Sequence, residues 1–268
     1  MDPGSKISAL LAGARKKLDA LVDGASGLHP TPGSVCIAFF SISTGAQRAT
    51  ILPVQGKNLA DVWQQGAAAL QSNAKRSPRP PKYLRVDVVD QVEQLTWGEL
   101  KLRLSQTKRN YFTQGLSLDA GFETAMLAPE MNGATVLYDG DIEHAEPNPG
   151  NLRIFAERRF GRELEFPKDD AAPVWCFDTR AVYADRDGAW PITAKGAAAG
   201  YRQLDSRDSG QVRTLIDRAS EYLAGQVKST GEFHYGWFPC FDRPIPTYNT
   251  LRHASSTYAL IERLGAYA

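Results

Sequence analysis

Residues 231–253 hold the side chains of this chain best suited to chemistry. The run Gly231-Glu232-Phe233-His234-Tyr235-Gly236-Trp237-Phe238-Pro239-Cys240-Phe241-Asp242-Arg243 and the later Tyr248-Asn249-Thr250-Leu251-Arg252-His253 bring together aromatic rings, two of the four histidines and one of the three cysteines. Large rings favour burial or ligand contact, so a mere connector rarely carries so many. Glu232, Tyr235, Asp242, Tyr248 and His253 are the candidate acids and bases. Trp237 offers a stacking surface, and His234, Asn249 and Arg252 offer donors to an anion or a hydroxyl. If a helix starts at Thr250, then Asn249, His253 and Ser256 share one face with Arg252 beside them. The backbone N–H groups of such a helix start also suit carboxylate or phosphate.

Plainer roles compete for the same residues. Asn249 suits an N-cap. Arg252 can pair with Glu262 or Asp242, and His253 can be a satisfied, half-buried histidine. Trp237, Phe238 and Phe241 can be core. Cys240 has His234, His253, Asp242 and Asn249 near it in sequence, the partners of a thiol hydrolase, but its apolar neighbours would raise a thiol pKa. Cys36 and Cys176 lie in strand-like apolar runs and read as inert buried thiols. His29 and His144 have no companion at metal-ligand spacing and no CxxC pair exists, so no metal or other cofactor is expected. None of the phosphate-loop, dinucleotide, zinc-protease or nucleophile-elbow motifs occurs.

Two helices must position this segment. Over residues 211–228 an apolar stripe of Val212, Leu215, Ile216, Ala219, Tyr222, Leu223 and Val227 predicts a helix, with Ser209 as its cap. Over 250–264, Leu251, Ala254, Tyr258 and Ile261 make a second stripe. Upstream, Ile7, Leu10, Leu11, Ala14, Leu18, Leu21 and Val22 predict a helix over 5–23. A hairpin follows, with strands at 34–42 and 48–54, and then a helix from Asn58. Prolines 78, 80 and 81 break the chain. Residues 83–90 alternate as a strand with Leu84, Val86 and Val88 inward and Arg85 and Asp87 on a wet face. Residues 97–132 read as mostly helical with interruptions, including a short helix at 119–128. Further readings are a strand at 134–138, a helix at 151–160 and a strand at 174–183. The small, polar segment 191–208 is the candidate boundary. The expected class is α+β: a small mixed sheet with covering helices over residues 1–190, then a helical hairpin with an aromatic loop over 209–268.

The chain has 268 residues, 43% of them hydrophobic, and 31 basic against 30 acidic side chains. A net charge of +1 gives no pull toward a phosphate backbone or an anionic lipid, so nucleic acid and membrane are not expected partners. No stretch approaches the ~20 apolar residues of a membrane span. Residues 1–5 lack the pattern of a signal peptide, which makes the cytoplasm the expected location.

The Gly231-Glu232-Phe233-His234-Tyr235-Gly236-Trp237 run with Tyr248-Asn249-Thr250-Leu251-Arg252-His253-Ala254 resembles the opening helical hairpin of the α/α-toroid carbohydrate-active proteins, such as glucuronyl C5-epimerases and N-acylglucosamine 2-epimerases. The likeness covers residues 211–264. It implies a carbohydrate-active enzyme, or part of one, of epimerase, lyase or hydrolase type acting on a polysaccharide or glycan. Tyr235, Tyr248 and His253 would then move protons while Arg252 binds a carboxylate. A closed toroid needs more helices than this chain carries. The resemblance therefore also implies either a longer protein or a helical pair packed on the α+β domain. The alternatives are a non-catalytic binding or scaffolding module with the aromatic segment as a protein interface, and a Cys240-dependent hydrolase. The expected ligand is a carbohydrate or another anionic or hydroxylated small molecule.

Overall fold

The computed structural model describes residues 3–23, 33, 35–45, 48–76, 79–131, 136–138, 140, 142–196, 198–203, 205, 207–238 and 241–265. His29, Pro78, Pro239, Cys240 and residues 134–135 of the expected strand lie outside that set. The chain divides into two compact units, Met1–Gln203 with Pro239–Phe241, and Leu204–Phe238 with Asp242–Ala268.

The first unit is α+β. Its strands are β1 (Cys36–Ser43), β2 (Thr50–Gly56), β3 (Tyr83–Thr96), β4 (Gly115–Ser117), β5 (Pro173–Asp185) and β6 (Gly188–Pro191). They form one antiparallel sheet in the order β2-β1-β3-β5-β4, with β6 also on β5. Its helices are α1 (Pro3–Asp23), α2 (Leu59–Arg76), α3 (Trp97–Ser105), α4 (Ala128–Met131) and α5 (Pro149–Phe160).

Alternation sorts the strand residues into two cores. On one face Ala38, Phe40, Leu84, Val86, Val88 and Val182 pack under the apolar stripes of α1 and α2. On the other, Ile37, Phe39, Val89 and Phe177 meet Phe122, Ala125 and Leu127 of the chain before α4. That double burial explains why β1 is apolar without a break from Cys36 to Phe40. A third cluster joins Trp97, Leu100 and Leu104 of α3 and Leu152 and Phe155 of α5 to Leu116, Val174 and Cys176. A register shift between Val89 and Gln91 lets Asp90 bulge from β3, where its carboxylate accepts from Arg180 Nε at 2.9 Å.

The structure corrects four expectations. Residues 97–132 are not mostly helical: after α3 come turns, the three-residue β4 and the single-turn α4, and turns occupy 119–124. The second face of β3 is not wet, because Asp87 is fully buried and holds the Arg85 guanidinium. Residues 191–203 are no free linker: they close back on the sheet through Ile192 N–H to Ala181 O and Thr193 N–H to Tyr201 O, both at 2.8 Å. The sheet is not mixed: every pairing among its described strands is antiparallel.

The second unit holds α6 (Ser209–Gly225), α7 (Thr250–Gly265) and a two-residue antiparallel pair of β7 (Trp237–Phe238) and β8 (Arg243–Pro244). Asp208, not Ser209, caps α6, accepting from the N–H groups of Gly210 and Gln211. Its carboxylate sits one residue earlier, where it reaches the free donors of the first turn. Asn249 caps the next helix, its Oδ1 accepting from Arg252 N–H at 3.0 Å. Arg263 donates to Asp217 at 3.2 Å and ties the two helices together.

Gly66 in α2 faces the Phe40 ring so closely that an added methyl would overlap it. Alanine normally gains about 1 kcal/mol over glycine inside a helix. Phe40 is fully buried and has no room to swing away. Overpacking of this kind costs about 1–3 kcal/mol, so after the propensity gain Gly66→Ala should destabilise the fold by up to about 2 kcal/mol in urea unfolding. A gain in stability would contradict this packing.

Candidate functional site

The end of α6 sets the aromatic segment. The Gln226 carbonyl accepts from His234 N–H at 2.8 Å, and Lys228 N–H donates to the Glu232 carbonyl at 2.7 Å. The tight return needs Gly231 at φ 86°, a backbone conformation that suits glycine. Phe233 is thereby turned inward, the one strongly buried apolar side chain of this unit among the described residues.

Around it the structure gathers four of the sequence-predicted residues. The Tyr248 hydroxyl lies 2.5 Å from His253 Nδ1 and accepts from Phe233 N–H at 3.2 Å. The Phe233 and His253 rings meet edge to face at 5.5 Å, and Tyr235 and Tyr248 are tilted at 6.4 Å. The Arg252 guanidinium lies over the Tyr235 ring at 5.2 Å. Hydroxyl, imidazole and guanidinium thus form one cluster held by ring contacts and two hydrogen bonds.

The remaining predicted residues lie elsewhere or serve the backbone. Glu232 accepts from Lys228 Nζ at 3.4 Å and Thr230 Oγ1 at 3.3 Å. Asp242, at φ 48°, accepts from Trp237 Nε1 at 3.1 Å across the β7–β8 turn, and Trp237 stays about half exposed at 51%. His234 is exposed, and Asn249 is the helix cap described above. Phe241 groups with the first unit, beside its third apolar cluster. Cys240 lies outside the described residues. Burial pushes the Cys176 thiol up to about 12, and burial first, then the Asp61 charge, raises that of Cys36, so neither is an activated nucleophile.

The first unit holds a polar network that pattern reading does not find. Arg85 Nε and Nη2 donate to the two oxygens of Asp87 at 2.8 and 2.6 Å, and Thr179 Oγ1 donates to Asp87 at 2.9 Å. Nearby in charge, Glu130 accepts from Arg159 at 2.9 Å and Arg48 at 3.4 Å, and from Leu127 N–H at 2.9 Å. Arg159 Nη2 is buried and finds no hydrogen-bond partner among the described residues. Three guanidinium groups therefore surround two carboxylates. The only sequence signal was charge alternation in β3, which by itself reads as a solvated face.

Among the described residues no group of His, Cys, Asp and Glu could hold a metal ion, and no helix is long and apolar enough to cross a membrane. No family model, no curated protein and no solved structure matches the chain.

Tyr248 is the hinge of the aromatic cluster. Tyr248→Phe removes the acceptor of Phe233 N–H from a half-buried hydrogen bond, a loss of about 1–1.5 kcal/mol. Hydrogen exchange at the Phe233 amide should then speed up by about tenfold. Unchanged exchange would show that the hydroxyl does not hold this turn.

Proposed function

We propose that the chain is a non-catalytic interaction module that associates through the apolar stripes of α6 and α7. The observation that carries this reading is exposure. Ile216 is 51%, Tyr222 70%, Leu251 78%, Tyr258 61% and Ile261 60% exposed, and α6 has no buried residue at all. Amphipathic helices normally turn such stripes into a core. Together with Val212, Leu215 and Val227, the exposed parts of these side chains come to on the order of 800 Å², about one partner's share of a standard interface.

A second copy of the chain is the simplest occupant. The net charge of +1 sets up no long-range repulsion between copies, and a two-fold pairing covers both apolar surfaces at once. The full chain at tens of micromolar should sediment above its monomer mass. Leu251→Glu combined with Ile261→Glu should return it to a monomer with unchanged far-ultraviolet circular dichroism. A chain that stays monomeric throughout, with or without the substitutions, would remove this reading.

A carbohydrate-active role is the second reading, favoured by the Tyr235, Tyr248, Arg252 and His253 cluster. A cation beside hydroxyl, imidazole and ring faces is a fitting set for an acidic sugar. On this reading α6 and α7 would be the opening pair of an α/α-toroid. A glycan-binding screen should then give uronate-containing hits for the wild type that disappear in Arg252→Ala with His253→Ala. An empty screen for the wild type would count against it.

A further inference from the structure

The outer edge of β5 is interrupted. Gly115 and Ser117 of β4 bond it opposite Phe177 and Trp175, and β6 with Ile192 bonds it from Ala181 onward. Backbone groups alternate between the two edges of a strand. The Ala181 carbonyl faces β6, so the N–H and C=O of Thr179 point the same way, into the gap that β4 and β6 leave. A cavity of about 260 Å³ fills this gap. Thr113 and Gly115 line one side and Thr193 and Ala194 the other, with Arg85 and the Phe177 ring also on its wall. Gly115 is required here, because an added Cβ would enter the Phe177 ring.

The chemistry of the cavity is specific. A sheet edge offers one residue's donor and acceptor, as it would to another strand. Arg85 spends Nε and Nη2 on Asp87, which leaves Nη1 for a ligand. Thr113 and Thr193 add hydroxyls, Phe177, Ala181 and Ile192 give apolar walls, and the carboxylate of Asp178, also on the wall, is paired with Lys195 at 3.0 Å. We infer that this notch binds an amide next to a carboxylate, as in an N-acyl amino acid, with the amide bridging Thr179 and the carboxylate on Arg85. The volume suits about one residue. A peptide C-terminus carries the same chemistry on a longer chain.

N-acetylglycine is the probe, titrated into the full chain while the Thr179 amide is followed by nuclear magnetic resonance. The expected result is a saturable shift of that amide. Acetate and N-acetylglycinamide, each lacking half of the recognised group, should bind at least about tenfold more weakly. Arg85→Lys keeps a charge beside Asp87 but loses the second donor set, and should weaken binding by a similar factor. Ala194→Trp fills the cavity mouth at an exposed position, away from the buried pair, and should abolish the shift. No saturable shift at Thr179 up to about 50 mM would overturn the assignment, since even the weakest specific sites bind in the millimolar range. So would equal binding by the Ala194→Trp chain, or acetate binding as tightly as N-acetylglycine. An N-acetyl tripeptide binding more than about tenfold tighter would overturn the small-molecule form of the site.

Discussion

The long antiparallel pairing of β3 with β5 is the constraint on which the first unit depends. It runs from Leu84 opposite Ala184 to Thr96 opposite Pro173. Every strand added outside this seam reads its register from it, and the three apolar clusters all take residues from one or both of its strands. Since a shift of one residue would exchange the two faces, the apolar sets on both sides fix the register. The bulge at Asp90 is the one adjustment. It makes room for a carboxylate that Arg180 satisfies, and Arg180 also reaches the Leu21 carbonyl at the end of α1.

The same seam creates the polar network. Asp87 is fully buried on the second face, where an isolated carboxylate would cost several kcal/mol. The two bonds from Arg85 and one from Thr179 cover it. Thr179 can do so only because the register sets it opposite Val89, two residues from Asp87. A buried ion pair is weak evidence of added stability, because desolvation consumes much of the attraction. The cluster is better understood as holding Arg85 in one orientation, which is what a donor must have to recognise a ligand.

Much of this fold can be read from residue spacing. The 3.6-residue stripe of α1, the Asn58 and Asn249 caps and the alternation in β3 each leave a local mark, and Asn58 Oδ1 does accept from Asp61 N–H at 2.9 Å. Residues 106–131 leave none. β4 has three residues and α4 a single turn, too short for any period, and both exist because β5 and its clusters hold them. The burial of the second face of β3 is hidden for a related reason: Arg85 and Asp87 are polar residues two apart on one face, and nothing local reveals that Thr179 and the turns before α4 will cover them. The aromatic cluster was partly legible, since Tyr248 and His253 sit close in sequence across a helix start. That Glu232 and Asp242 turn to Lys228 and Trp237 depends on the two tight turns at Gly231 and Asp242, whose φ values no pattern states.

The two units satisfy their side chains by opposite means. In the first, buried carboxylates are answered by guanidinium groups of the same chain. In the second, Phe233 alone is strongly buried among the described apolar residues, and the helices meet partly through the Arg263–Asp217 pair. One ring and one half-exposed ion pair supply little stability: burying a large apolar side chain is worth about 1.5–3 kcal/mol, and exposed ion pairs about 0–1 kcal/mol. Helices of this length are marginal alone in water. Within the chain, their order rests on the hydrogen-bonded aromatic turn that joins them. The Tyr248 hydroxyl and the exposed Leu251, Tyr258 and Ile261 are thus linked physically: the first holds α7 where the others can be covered.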